Sequence, residues 1–308
     1  MIVKSSSPTR ISLLGGGSDL PEFYKDYGGE VISLAVNLRS HLTLYTEDDL
    51  WQTKSAFPQQ TDPELCWKIL DEFGLGSMHH AVVVSSSDAI IGAGLGTSAS
   101  FAVALVGALN KMQGLPINRK IIAQIARNVE VEKLGWYGGF QDQLAASYGG
   151  FNHLSFGEQV FVTPIEQKIL PWLFLTYSGG SRKGHKIQEG FRFLSPEKIE
   201  NLKAIRSLAV EGLDLLDNPP EFAKLIVKSW EFKKQSNAVT TDKIDDFIKF
   251  GIETGAEAGK LLGAGGAGYV LFMVSPEKRV LFKKRLGIHG FEETDFELDT
   301  QGVDVRIL

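Results

Sequence analysis

Short runs of branched and aromatic residues separated by polar turns fill the first part of the chain. Residues 2–5, 10–14, 30–37 and 41–46 each read as a strand. The period then lengthens. Leu65, Ile69, Leu70 and Phe73 recur at helical spacing within 61–73, and 81–85 is a valine-rich strand. Residues 101–109 predict a buried helix closed by Gly114-Leu115-Pro116, and 118–134 an amphipathic helix with Asn118 as N-cap and Gly135 as its stop. Residues 151–156 and 159–165 predict paired strands turning at Gly157. Beyond Pro164 come a strand at 172–177, long helical patterns at 196–216, 220–236 and 243–261, and strand signals at 269–274 and 303–308. The fold class expected is α+β, with a boundary within 156–166 separating an N-terminal domain, 1–160, from a C-terminal domain, 161–308.

Composition narrows the function. A chain of 308 residues with 43% hydrophobic and 22% charged residues can bury a large core. No apolar run is long enough to cross a bilayer, so no membrane partner is expected. Met1-Ile2-Val3-Lys4 leads straight into a strand without a signal segment, which makes the cytoplasm the expected location. A net charge of -5 argues against nucleic acid as a partner. The basic residues Lys278, Arg279, Lys283, Lys284 and Arg285 fall on a predicted surface helix and read as a solvated face. Cys66, beside Trp67, is the single cysteine and reads as core. His79 and His80 are sequence neighbours that do not face one ion together, and read as loop or packing.

Three glycine clusters carry the candidate chemistry. Gly92-Ala93-Gly94-Leu95-Gly96-Thr97-Ser98-Ala99-Ser100 runs into a helix of small and apolar residues. Amides at a helix start lack intrahelical partners and the helix dipole is positive there, so such a loop binds phosphate. Thr97 and Ser98 could ligate a magnesium ion accompanying that phosphate. No acidic residue occurs between Asp88 and Glu130, while Lys111, Arg119, Lys120 and Arg127 do. The loop is neither of the two common phosphate motifs: the chain has no Gly-Lys-Ser/Thr, and the acid-free interval lacks the ribose-binding carboxylate of a dinucleotide site.

The first cluster, Gly15-Gly16-Gly17, ends a strand and is followed by Ser18 and Asp19. Consecutive glycines imply close approach to the backbone or positive φ angles. Asp19 could bind polyol hydroxyls, or cap a helix beginning Leu20-Pro21-Glu22. The third cluster spans Gly263 to Gly268, with four glycines among six residues, and reads as joining a helix to a strand; a C-cap role for Gly263 explains only one of them. Between the second and third clusters lies Gly138-Gly139-Phe140-Gln141-Asp142-Gln143, where Asp142 could cap a helix over 143–148 or face a ligand.

Taken together, residues 8–19, 92–99, the Asp142 segment and 262–268 resemble the GHMP kinase superfamily in order and spacing, across nearly the whole chain. Gly-Gly-Gly-Ser-Asp-Leu, Gly-Gly-Phe-Gln-Asp-Gln and Lys-Leu-Leu-Gly-Ala-Gly-Gly-Ala-Gly are most similar to bacterial D-glycero-D-manno-heptose 7-phosphate kinases, which phosphorylate an anomeric hydroxyl. Two positions depart from the common pattern: Ser18, where many relatives have Thr, and Ala267, where Gly is usual.

The resemblance implies a ribosomal-protein-S5-like N-terminal domain and a ferredoxin-like C-terminal one, with ATP, magnesium and a small sugar or sugar phosphate between them. It implies that Asp142 is catalytic, aided by Arg10, and that Gly92, Gly94, Leu95, Gly96, Thr97, Ser98 and Ala99 wrap ATP. Ser98 and Glu130 would hold magnesium, with Glu130 favoured over Glu132. Arg10, Gly16, Gly17, Ser18, Asp19, Gly139, Asp142, Gly265 and Gly266 would line the sugar site. Ser181, Arg182 and Lys183 resemble a segment that binds the phosphate already on the sugar, the alternative being an exposed turn. Within the fold the rivals are kinases of a hexose, fucose or N-acetylhexosamine, and outside catalysis a nucleotide- or sugar-binding protein. A homodimer is the assembly to test.

Overall fold

The computed structural model describes residues 1–46, 62–75, 81–166, 168–181, 194–236 and 239–308. Two antiparallel sheets organise the chain. The first runs in the order β5 (Val160–Pro164), β4 (Phe151–Phe156), β2 (Gly29–Thr46), β1 (Ile2–Leu14), β9 (Asp304–Ile307), and β3 (Ala81–Ser87) also pairs with β2. The second runs β6 (Leu173–Tyr177), β8 (Tyr269–Met273), β7 (Ala258–Leu261).

Two pairs of expected strands are single long ones. Residues 2–5 and 10–14 merge into β1, and 30–37 and 41–46 into β2, with a register shift at Pro8/Thr9 taking up the irregularity. Serines of this stretch are bonded in place: Ser5 Oγ donates to Asp304 O at 3.2 Å, and Ser7 Oγ to Ser100 O at 2.5 Å. A proline or serine inside a strand is tolerated where the ladder slips and the hydroxyl finds a partner.

Helix α1 (Pro21–Tyr27) follows the first glycine cluster, and α2 (Pro63–Glu72) begins at an Asp62 cap that accepts from Glu64 N. Helix α3 (Thr97–Met112) lies on the first sheet and is buried nearly all round, from Thr97 through Asn110 except Ser98. Cys66 is core, and burial pushes its thiol up to about 12. Helix α4 (Arg119–Asn128) is capped by Asn118, whose side chain accepts from Ile121 N. It does not run on to Leu134 as α-helix. Residues Val129–Lys133 widen into one π-helical turn, closed by Leu134 N to Val129 O at 3.0 Å. Helix α5 (Gln141–Tyr148) then leads to β4.

Helix α6 (Pro196–Asp214) lies against β1 and β2 of the first sheet and against α7 (Pro219–Ser236), while α7, α8 (Asp242–Thr254) and α9 (Pro276–Ile288) pack on the second sheet. The helical pattern read over 243–261 ends at Thr254, because Gly255 turns the chain at φ 126°. Residues 258–261 form β7 instead. The third glycine cluster therefore joins two strands, not a helix to a strand, and Gly263 caps no helix. Helix α9 carries Lys278, Lys283, Lys284 and Arg285 on its outside, where Val280 is 82% exposed, but Arg279 turns inward to bond Leu173 O at 2.9 Å and the Glu293 carboxylate, so the expected solvated face holds for four of the five. Among the described residues no helix is long and apolar enough to cross a membrane.

Candidate active site

All the glycine clusters open onto one cavity of about 710 Å³ between the two sheets. Its wall includes Gly16, Gly17 and Asp19 after β1, residues Gly92, Gly94, Gly96, Thr97, Ser98 and Ala99 at the start of α3, Gly139 and Asp142 at the start of α5, Glu130, Ser181 and Gly265. Leu95, Ser18 and Gly266 do not line it. Leu95 is fully buried in the core, and the Ser18 hydroxyl bonds Gly15 O at 2.8 Å and Glu30 O at 3.0 Å, pinning the first cluster to β2. Gly266 N donates to Val239 O at 2.7 Å. Arg182 and Lys183 lie outside the described residues, as do His79 and His80.

The second cluster presents an open helix start. Gly92, Gly94 and Gly96 have φ of 74°, 99° and 74°, left-handed values that favour glycine. Gly96 is the N-cap of α3, no side chain caps it, and its first turn has no acid. That leaves amides and the positive end of a well-buried dipole facing the cavity, which fits a polyphosphate. Thr97 is buried with its hydroxyl accepting from Gly92 N at 3.3 Å, while Ser98 is exposed to the cavity. Loops two and three meet backbone to backbone. A Cβ on Gly94 would lie 2.5 Å from Leu262 O, one on Gly263 2.5 Å from Gly94 Cα, and one on Gly268 2.2 Å from Ala93 O.

Arg10, on β1, reaches across to Asp142 on α5. Its Nε donates to Oδ1 and its Nη2 to Oδ2, both at 2.6 Å, while Nη1 donates to Gly94 O at 2.6 Å. The guanidinium is 7% exposed and the carboxylate 27%, so the pair is sheltered on the arginine side and open toward the cavity on the other. Asp142 is not a cap: Phe140 is the N-cap of α5 and makes no side-chain cap bond. Gly96 abuts the pair, since a Cβ there would sit 2.9 Å from Asp142 Oδ2. The open helix start and the carboxylate thus meet at one point.

Asp19 does not cap α1 either, whose N-cap is Leu20 without a side-chain bond. It reaches the other side of the cavity. Oδ2 accepts from Phe140 N at 2.9 Å and Gln141 N at 3.0 Å, and Oδ1 from Gly17 N at 3.0 Å. Burial raises its pKa, with the charge of Asp142 adding to the rise and the Gln141 amide opposing it. Gly139 is required here: a Cβ on it would lie 1.8 Å from Asp19 Oδ2.

The π-turn turns Glu130 inward, where it is 6% exposed, and leaves the Glu132 side chain 65% exposed near Arg127. Burial pushes the Glu130 carboxyl up to about 7, while hydrogen bonds from Gln143 and Ser98 oppose the rise. Gln143 Nε2 donates to Glu130 Oε2, and the other end of that amide, Oε1, is buried without a partner. A hard divalent cation takes oxygen ligands, and magnesium combines one or two carboxylates with substrate phosphates and water. Glu130 and Ser98, hydrogen-bonded at the edge of the α3 start, are a donor set that fits it.

Two further cations emerge only in three dimensions. Lys260 on β7 donates to Ser12 O at 3.2 Å and Leu13 O at 2.9 Å, tying the second sheet to β1. Lys233 on α7 donates to Gly263 O at 2.6 Å. Burial lowers both, Lys233 to about 8 and Lys260 to about 7, with the charge of Arg10 contributing to each shift. In the sequence Lys233 sits in a Lys-Lys pair near a helix end and looks solvated; only the glycines flanking β7 hint that Lys260 is enclosed.

Fold and cleft together define a kinase. The model of the GHMP kinases N terminal domain matches residues 64–150. D-glycero-alpha-D-manno-heptose 7-phosphate kinase of Campylobacter jejuni is 30% identical, over 98% of this chain and 98% of its own length. A mevalonate kinase of Thermococcus onnurineus is 27% identical over 99% of each. Among solved structures, a D-glycero-D-manno-heptose 1-phosphate kinase from Bacteroides thetaiotaomicron superposes with a TM-score of 0.78 at 24% identity, covering 99% of both chains. The chain belongs to the GHMP kinase family.

Proposed function

We propose that the protein transfers the γ-phosphoryl group of ATP to the anomeric O1 of D-glycero-D-manno-heptose 7-phosphate, giving the 1,7-bisphosphate and ADP. The observation that carries this reading is the meeting of Gly96 with Asp142, because it sets a phosphate-binding helix start against a carboxylate able to hold a hydroxyl. The similarity to the Campylobacter jejuni enzyme supports the choice of sugar.

Gly92, Gly94, Gly96, Thr97, Ser98 and Ala99 bind the nucleotide phosphates. Asp142 orients the sugar hydroxyl and receives its proton as the phosphoryl group arrives. Each of its oxygens already accepts one bond from Arg10 and keeps a second lone pair for the hydroxyl. An anomeric hydroxyl is more acidic than an ordinary alcohol, so a carboxylate held by arginine is base enough. Arg10 fixes the carboxylate and adds positive charge where the transferring group passes, which is what phosphoryl transfer chiefly requires. Asp19, Gly16, Gly17, Gly139 and Gly265 form the sugar wall. Glu130 and Ser98 hold magnesium, which when bound neutralises phosphate charge. Ser181, on the cavity wall, with Arg182 and Lys183 following it in sequence, receives the phosphate already on the sugar.

Turnover of ATP with a panel of heptose 7-phosphate, free heptose, fucose, galactose, N-acetylhexosamine and mevalonate tests this reading. Preference for the phosphorylated heptose, lost selectively in Arg182→Ala, is the expected result. Equal loss on free and phosphorylated sugar removes Arg182 from the phosphate site. ATP bound but unused with every acceptor favours a binding protein on this fold.

A further inference from the structure

The geometry points to Lys233 as a second cation on the phosphoryl group in transfer, acting from α7 jointly with Arg10. This rests on reading the cleft as a kinase site. Gly94 and Gly263 touch backbone to backbone, and each offers its carbonyl to a cation: Arg10 Nη1 at Gly94 O and Lys233 Nζ at Gly263 O, both at 2.6 Å. Two positive groups from remote parts of the chain thus hang on either side of one seam, directly beside the open start of α3. Both line the cavity.

The donors of the neighbouring cations are largely spent. Arg10 is committed to Asp142 and Gly94, and Lys260 to the carbonyls of Ser12 and Leu13. Lys233 has three N–H donors and, among the described residues, one hydrogen-bond partner and no carboxylate within ion-pair distance. The charged groups facing it are Arg10 from β1, Asp19 after β1, Asp142 from α5 and Lys260 from β7. The half-buried ammonium on the cavity wall thus has donors left for an anion that arrives there.

That anion must lie near Arg10, Asp142 and the second glycine loop at once, which is where a phosphoryl group leaves its nucleotide. During transfer its charge spreads over three equatorial oxygens, so cations on two sides stabilise it better than one. Lys233 keeps its proton and forms no covalent bond; it supplies charge and direction, as a lysine does at other phosphate sites.

The test compares the affinities of the purified full chain, with magnesium, for AMPPNP and for ADP, which differ in the terminal phosphoryl position. Lys233→Met is expected to weaken AMPPNP roughly 10- to 100-fold while leaving ADP near the wild-type value. Lys233→Arg, which keeps the charge, is expected to retain most of the AMPPNP affinity. Equal loss of both nucleotides, or loss of neither, overturns the proposal, as does a folded Lys233→Arg that binds AMPPNP no better than Lys233→Met. The comparison needs no acceptor sugar. A wild type that binds both nucleotides but phosphorylates nothing therefore sinks the proposed activity and leaves the assignment of Lys233 to be decided on binding. A wild type that binds neither sinks both.

Discussion

Arg10 and Asp142 form a two-point ion pair across the cavity floor, Nε to Oδ1 and Nη2 to Oδ2, each at 2.6 Å. The guanidinium plane fixes the carboxylate plane, so the free lone pairs of Asp142 can point in few directions. Asp142→Asn breaks this match, since an amide nitrogen must then face an arginine donor. Turnover is expected to fall by roughly 10²- to 10⁴-fold, with ATP affinity preserved because the α3 start is untouched. Steady-state kinetics with equilibrium nucleotide binding checks both halves; near-normal turnover would remove Asp142 from the chemistry.

Glu130 and Glu132 differ by two positions and face opposite surroundings, one 6% exposed in the cleft, the other with a side chain 65% exposed. Manganese binding in the presence of ADP, followed by electron paramagnetic resonance, should weaken by more than about 10-fold in Glu130→Gln. Glu132→Ala should bind as wild type does. The opposite pattern would move the metal to the outer face of the π-turn.

Gly139→Ala brings a methyl group to 1.8 Å from Asp19 Oδ2, a contact that cannot persist. Asp19 must release the amides of Phe140 and Gln141, and the first turn of α5 loses its anchor. The cost expected is roughly 1–3 kcal/mol of stability. A turnover loss of roughly 10²-fold should accompany it, as Asp142 moves with that turn. Gly157→Ala, where a Cβ meets nothing within 4 Å, is the control and should stay within about 0.5 kcal/mol. Thermal unfolding and kinetics on the two variants separate a local clash from a general intolerance of alanine.

The order of elements and the glycine clusters were legible in the sequence because each depends on near neighbours. A Val-rich run, an Asn cap at Asn118 and repeated glycines declare themselves within a few residues. For Asp19 and Asp142 the local spacing left a helix cap open beside a ligand role, since it says nothing of a partner more than a hundred positions away. β7 was hidden by its composition: Ala-Gly-Lys-Leu has no β-branched or aromatic residue, and only pairing with β8 makes it a strand. Lys233 and Lys260 stayed silent until folding brought both beside Arg10.

The seam between the second and third glycine clusters bears on how ligands enter. Gly94 against Leu262, Gly263 against Gly94 and Gly268 against Ala93 pack main chain on main chain, and Tyr269 N adds a bond to Ala93 O at 2.8 Å. The contact leaves no room for a side chain at Gly94, Gly263 or Gly268, so the two loops hold one another at main-chain distance. A nucleotide or sugar in the cavity therefore meets main chain on this side and, on the opposite bank, side chains: Lys198 and Leu202 of α6, Ser229 and Lys233 of α7. Lys233 joins the two banks, its ammonium donating to Gly263 O at 2.6 Å.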